Sequence, residues 1–252
     1  MEVERIAAAA SLLAEARRCG ERLAGLPPAL RPQTVAEAHA IQDAVTRALG
    51  ERGGGWKANA PPEGEVQRGL LFARLIFASP ASIPASLAPL LGIEAEIAFR
   101  FRTDLPPRPV PYAREEVAQA VLPFPAIEIV DSRYRDFNLC SPLERLADHG
   151  LNGAFVAGRE VADWHRLDLA KLKVTLALDG ETIVERVGGH PTGDPLATAV
   201  AFANAMRAQG GLKRGEFVTT GSCTGMNFAQ PGARVVARFE GIGSAEASFV
   251  AG

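Results

Sequence analysis

The stretch Gly92-Ile93-Glu94-Ala95-Glu96-Ile97-Ala98-Phe99 sets two acids into an apolar run with a period of two. In an extended strand alternate side chains share a face, so both carboxylates point one way while Ile93, Ala95, Ile97 and Phe99 point the other. A second stretch, Phe124-Pro125-Ala126-Ile127-Glu128-Ile129-Val130-Asp131, again sets a carboxylate among residues of strand type. Two readings of Glu94 and Glu96 stand side by side: the wet face of a half-exposed antiparallel strand, or a buried acid pair. Glu128 is harder to solvate, because its apolar neighbours make the nearly continuous run of a strand buried on both faces. A carboxylate taken out of water without a partner costs several kcal/mol, so buried acids are paired or bind metal. Hard oxygen ligands of this kind suit Mg²⁺ or Mn²⁺.

The surrounding sequence supports a globular frame for such a site. A chain of 252 residues buries a sizeable core and need not divide into two domains. Its 27 basic and 29 acidic residues nearly balance, which argues against a nucleic-acid or anionic-membrane partner. Cys19, Cys140 and Cys223 are an odd number, widely spaced, and match neither a zinc pattern nor a disulfide framework; reduced thiols in a cytoplasm are expected. The run from Ile6 to Ala14 follows Glu2 and Glu4 and precedes Glu15, Arg17 and Arg18, so we read it as an amphipathic helix rather than a signal-peptide core. No apolar stretch approaches the roughly 20 residues of a membrane span.

Along the chain, residues 1–50 read as two helices. Ile6, Leu12, Leu13, Ala16 and Leu23 form a stripe ended by Pro27-Pro28, and Thr34 with Glu37 opens a second helix that stops at Gly50. From Gly53 the texture is short apolar runs with many glycines and prolines, interrupted by helices around 114–122 and 195–209. Asp194-Pro195 starts the latter, since proline lacks the N–H that a first turn cannot use. Residues 172–178 and 182–187 flank Asp179-Gly180 as a hairpin, and further strands are expected near 216–220, 234–239 and 245–250. The pattern predicts one mixed α/β or α+β domain with a large, mostly antiparallel sheet system.

Several catalytic signatures fail. Gly221-Ser222-Cys223-Thr224-Gly225 lacks the glycine two residues before the serine of a nucleophile elbow, although its small-residue loop suits substrate binding. Gly53-Gly54-Gly55-Trp56-Lys57 lacks the spacing and hydroxyl residue of a phosphate-binding loop. His39, His149, His165 and His190 show no helical metal-binding pair.

Six segments, in this order, carry a resemblance: Gly55-Trp56-Lys57, Gly92 to Phe99, Pro125 to Arg133, Ala147-Asp148-His149-Gly150, Gly193-Asp194-Pro195-Leu196 and Thr219 to Gly225. Together the chain resembles the 2-keto-4-pentenoate hydratase and 4-oxalocrotonate decarboxylase family, within the fumarylacetoacetate hydrolase superfamily. The resemblance implies an α+β fold, a mixed β-sheet roll like the fumarylacetoacetase C-terminal domain, with residues 1–50 as helices packing on a core of 51–252 in one catalytic domain. It implies a divalent metal, Mg²⁺ or Mn²⁺, held by Glu94, Glu96 and Glu128, and an active-site role for Lys57, whose bland alternative is a solvated strand-end lysine. Asn152 and Ser222 are expected to line the substrate pocket.

The implied activity is a lyase that hydrates a 2-hydroxy-2,4-dienoate in a ring-cleavage or related catabolic route, as a cytoplasmic homo-oligomer acting on a small 2-oxo or 2-enol acid. Decarboxylation of a 2-oxo-hexenedioate is the nearest alternative, and a C–C hydrolase or tautomerase on the same scaffold the next. Two segments depart from the family pattern: Ala58-Asn59-Ala60-Pro61-Pro62 after the lysine, and Leu151-Asn152-Gly153 after Asp148. Both bear on the substrate more than on the metal.

Overall fold

Antiparallel pairing of the two acid-bearing segments forms the centre of the fold. The computed structural model describes residues 2–251. In chain order the helices and strands are α1 (Val3–Cys19), α2 (Val35–Leu49), β1 (Gly53–Asn59), β2 (Gln67–Phe72), β3 (Ile76–Ala78), β4 (Ala81–Pro84), β5 (Gly92–Phe101), α3 (Arg114–Ala120), β6 (Val121–Val130) and α4 (Pro142–Ala147). There follow β7 (Asn152–Ala157), β8 (Lys173–Leu178), β9 (Glu181–Val187), α5 (Pro195–Arg207), β10 (Phe217–Ser222), β11 (Asn227–Phe228), β12 (Arg234–Phe239) and β13 (Gly243–Val250).

The strands make two sheets. One runs in the order β2-β1-β10-β5-β6-β7-β3, with β11 also pairing β5; the other runs β4-β13-β12-β8-β9. Most pairs are antiparallel, as expected, but β1 with β10, β3 with β7 and β4 with β13 are parallel. Period-two alternation on β5 then decides which side chains meet which layer. Ile93, Ala95, Ile97 and Phe99 join Ile127 and Ile129 of β6 in the main core, together with Val235, Ala237, Phe239 and Phe249 of the second sheet. On the opposite face, Ala98, Phe124, Ala126, Phe155 and Phe217 form a separate aromatic cluster, in which Phe155 and Phe217 stack at 5.1 Å. Burying each phenyl ring contributes on the order of 2 kcal/mol, which stiffens the sheet on which the acids stand.

The N-terminal helices pack against each other and against the region of α4. Leu13 of α1 and Ile41 and Val45 of α2 share a third cluster with Tyr134, Leu146 and Leu151. Thr34 caps α2 by accepting from Glu37 N–H at 3.2 Å, while the Glu37 carboxylate takes the Gln33 N–H rather than that of Thr34. Asp179 and Gly180 adopt positive φ, and the expected hairpin forms around them. The helices foreseen around 114–122 and 195–209 end earlier, at Ala120 and Arg207, the first because Val121 already pairs with Phe101 in the sheet. Helix α4 was not foreseen, although Ser141-Pro142-Leu143-Glu144 carries its capping box: Ser141 Oγ accepts from Glu144 N–H and Glu144 Oε2 accepts from Ser141 N–H. No helix among the described residues is long and apolar enough to cross a membrane.

Candidate metal centre

Register brings the three acids together. Glu94 stands directly opposite Glu128 across the β5–β6 ladder, and Glu96 faces Ala126, one diagonal step away. All three project from the face that carries the aromatic cluster. One carboxylate oxygen from each lies within 4.8 Å of the others. Glu96 is 1% exposed, so the wet-face reading of the Glu94–Glu96 pair fails there, and Glu94 keeps only partial exposure; Glu128 is 0% exposed, as its apolar neighbours imply.

Each acid is held differently. Glu96 Oε2 accepts from the Thr219 hydroxyl and from the Gly221 N–H at 3.2 Å. The second donor is available because the β10–β5 register breaks between Thr219 and Ser222, where Gly221 takes φ 115°, a value that favours glycine. Glu128 Oε1 accepts from Lys57 Nζ at 2.6 Å and from Asn152 Nδ2 at 3.1 Å, whereas Glu128 Oε2 is buried without a hydrogen bond. The Ser222 hydroxyl sits beside Glu94 but forms no hydrogen bond of good geometry.

Electrostatics follow from this crowding. Burial, then the charge of Glu128, pushes Glu94 up to about 7; burial, then Glu128 and Glu94, pushes Glu96 up to about 8. Burial works against the Lys57 ammonium, but Glu128, Glu96 and Glu94 outweigh it, and its pKa is raised. Lys57 therefore stays charged and offsets one of three acids; once all three are ionised, a deficit of two positive charges is left. Three converging carboxylates, one orphaned buried oxygen and that deficit fit a hard dication.

A cavity of about 450 Å³ opens onto the acids. Lys57, Glu94, Glu96 and Ser222 line it, with Asn59, Gln67 and Arg145 among the other wall residues. Asn152 does not: it is 3% exposed and commits its amide to Glu128 Oε1 and to Ala154 O at 3.2 Å. The expected substrate contact of Asn152 is thereby corrected to a brace for Glu128. None of the four histidines lines this cavity.

A feature absent from the sequence reading fixes Lys57. His149, Gly150 and Leu151 have φ of 54°, 62° and 64°, three consecutive residues in the left-handed region. Such a turn costs on the order of 1–2 kcal/mol for each non-glycine residue, so its surroundings must hold it. They do: Asp148 binds Arg17 at 3.1 Å and Arg133 at 2.7 Å, His149 Nδ1 donates to Leu70 O at 3.2 Å, and Leu151 O accepts from Asp131 N–H at 2.9 Å. Burial and the charges of Arg17 and Arg133 drive the His149 pKa well below its usual value, consistent with a neutral ring. The turn aims Gly150 O at Lys57 Nζ, 2.9 Å away. No periodicity signals it; the only cue was Gly150 itself.

Comparison with known proteins identifies the family and the fold. Residues 62–250 match the fumarylacetoacetate (FAA) hydrolase C-terminal family. The 2-keto-4-pentenoate hydratase of Paraburkholderia xenovorans (strain LB400) is 30% identical over 254 residues, covering 96% of this chain and 93% of that protein. A 4-oxalocrotonate decarboxylase of Pseudomonas putida is 30% identical over 159 residues, 63% of this chain and 60% of that one. Among solved structures, 4-oxalocrotonate decarboxylase from Pseudomonas putida G7, complexed with magnesium and adipate, superposes with a TM-score of 0.86 at 23% identity, covering 99% of both chains.

Proposed function

This chain belongs to the fumarylacetoacetate (FAA) hydrolase C-terminal family, and from that premise we propose that it is a metal-dependent hydro-lyase adding water to a 2-hydroxy-2,4-dienoate. The observation that carries the reading is the convergence of Glu94, Glu96 and Glu128 beside a charged Lys57, with Glu94, Glu96 and Lys57 lining a small-molecule cavity. Glu94, Glu96 and Glu128 would hold Mg²⁺ or Mn²⁺, hard ions that suit carboxylate oxygens. When bound, the ion supplies Lewis-acid stabilisation of charge on the 2-oxo oxygen.

The chain's own residues supply the rest. An ammonium has three N–H donors, and Lys57 spends two on Glu128 and Gly150 O, so one remains for the anionic end of a 2-enol acid in the cavity. Thr219 and the Gly221 N–H hold Glu96, and Asn152 holds Glu128, so the acids need little rearrangement on binding. Ser222 adds an uncommitted hydroxyl on the wall. The reaction balances simply: the enol proton leaves, a proton adds at C5 to give the 2-oxo-3-enoate, and water places its oxygen on C4 and a proton on C3. The product is a 4-hydroxy-2-oxo acid, with one water gained.

Decarboxylation of a 2-oxo-hexenedioate is the second reading, favoured by the relatives that bear that name and by needing the same stabilised charge. Hydrolysis of a C–C bond calls for a base that activates water, and no histidine stands in the cavity. The test is turnover of 2-hydroxypenta-2,4-dienoate with Mg²⁺ or Mn²⁺, followed by loss of dienol absorbance, with CO₂ release from 2-oxohex-3-enedioate as the parallel assay. Metal-dependent hydration that vanishes in Glu96→Ala, with metal binding, supports the proposal. Turnover retained by a folded Glu96→Ala removes it.

A further inference from the structure

Arg145 is half-buried in the cavity wall and carries no ion pair or hydrogen bond from its guanidinium among the described residues. The two other cations of the lining are committed. Lys57 lies on Glu128, and Arg68 makes three hydrogen bonds of 3.0–3.2 Å to Asp43 while its Cζ stacks 5.2 Å from the Trp56 ring. A guanidinium on a residue of the cavity lining, with no partner of its own, has a planar fork of donors matched to a carboxylate.

The platform beneath it is rigid. Helix α4 starts at the Ser141–Glu144 capping box; Glu144 is 2% exposed and also accepts from Leu26 N–H at 3.0 Å, while Tyr134 OH donates to Glu144 O at 3.1 Å. Gln42 Nε2 donates to Leu146 O at 2.5 Å. Arg145 thus stands on a helix fixed on both sides of it. Asn59 and Gln67, on the wall formed by β1 and β2, lie within 3.5 Å of each other and add neutral donors. The two segments that depart from the family pattern contribute Ala58, Asn59 and Leu151 to this lining.

We propose that the substrate is a dicarboxylic 2-enol acid whose second carboxylate is held by Arg145 and retained in the product. The inference deepens the hydratase reading and rests on it. A carboxylate that leaves as CO₂ gives its charge to the carbon skeleton, and a guanidinium bound to it stabilises the reactant and opposes that loss. Hydration leaves the distal carboxylate untouched, so Arg145 binds it alike in substrate and product.

A matched pair of saturated acids, 2-oxoadipate and 2-oxohexanoate, isolates the claim, because neither carries the double bond that hydration needs. Binding is measured by calorimetry with saturating Mg²⁺ on the wild type, Arg145→Gln and Arg145→Lys, with Mg²⁺ affinity and the thermal melt as folding controls. The expected result is a preference for 2-oxoadipate of about tenfold or more in the wild type, lost in Arg145→Gln and partly kept in Arg145→Lys. Equal affinities in the wild type, or a preference that survives in Arg145→Gln, overturn the role of Arg145 and leave the hydratase reading standing. If neither acid binds a protein that binds Mg²⁺, the 2-oxo acid reading fails and takes this inference with it.

Discussion

Removing Lys57 would strand Glu128, whose side chain has no exposed surface, without its charge partner. Breaking a buried pair from one side costs about 3–5 kcal/mol, because the remaining charge keeps its desolvation and loses its compensation. Lys57→Met is therefore expected to destabilise the metal-free protein by about 3 kcal/mol, with Mg²⁺ recovering part of the loss. Urea melts with and without Mg²⁺ check this, and equal losses in both would contradict it. A second expectation concerns protons. Glu94 and Glu96 sit at about 7 and about 8, above the usual 4.5, so the folded metal-free state holds protons that the unfolded chain has already lost. Their contribution to stability is present below 4.5 and declines as pH rises through 7 and 8. Bound metal requires both ionised, so binding at pH 6.5 releases between about one and two protons, and the release fades above pH 9. Calorimetry in two buffers of different ionisation enthalpy reads this; proton-neutral binding at pH 6.5 would refute it.

At the scale of elements, the turn from His149 to Leu151 matters more than its three residues suggest. A methyl group on Gly150 would lie 3.2 Å from both Cδ and Cε of Lys57, and the position already has φ 62°. Gly150→Ala is expected to cost about 1–2 kcal/mol in backbone strain and, by pressing on the lysine, to lower kcat by roughly tenfold or more while Mg²⁺ affinity changes little. Steady-state kinetics beside a metal titration separate the two effects; unchanged kcat would dismiss the turn as a positioning device. This turn also marks what the sequence did and did not disclose. The alternation in β5 and the apolar run around Glu128 placed the acids on strands, because a period of two leaves no other arrangement. Their direct opposition, Glu94 across from Glu128, depends on a ladder register that no local pattern encodes. Leu151 carries no mark of positive φ and His149 only a weak one, since histidine enters that region more readily than most residues but does not by itself signal three such residues in a row. Asn152 was assigned to the pocket on the strength of the resemblance, yet strand β7 turns it inward beneath Glu128.

Across the whole molecule, the helical N-terminal region braces the site from behind: Arg17 of α1 shares Asp148 with Arg133, and Gln42 of α2 spans the carbonyls of Arg68 and Leu146. Neutral histidines, two of them buried and His39 partly so, belong to the same bracing. Burial, then Arg68, brings His39 down to about 4, with its Nε2 accepting from Arg68 N–H; burial lowers His190, whose Nε2 donates to Thr220 O beside the Gly221 bulge; and burial with the charges of Arg17 and Arg133 lowers His149 under the turn. A histidine whose folded pKa is depressed contributes stability that is full above about 6.5 and lost as pH falls towards the folded value. His39 loses its contribution between pH 6.5 and 4, whereas the Glu94 and Glu96 contribution grows in the opposite direction as pH falls from 8 to 4.5, so the two oppose each other between pH 7 and 5. His39→Gln, which retains a hydrogen-bond acceptor for Arg68 N–H without a titrating ring, isolates the histidine. Between pH 7 and pH 5 its melting temperature is expected to change more favourably than that of the wild type, by roughly 4 °C. An identical pH dependence in the two proteins would show that this ring titrates freely and that the bracing of the site does not depend on keeping it neutral.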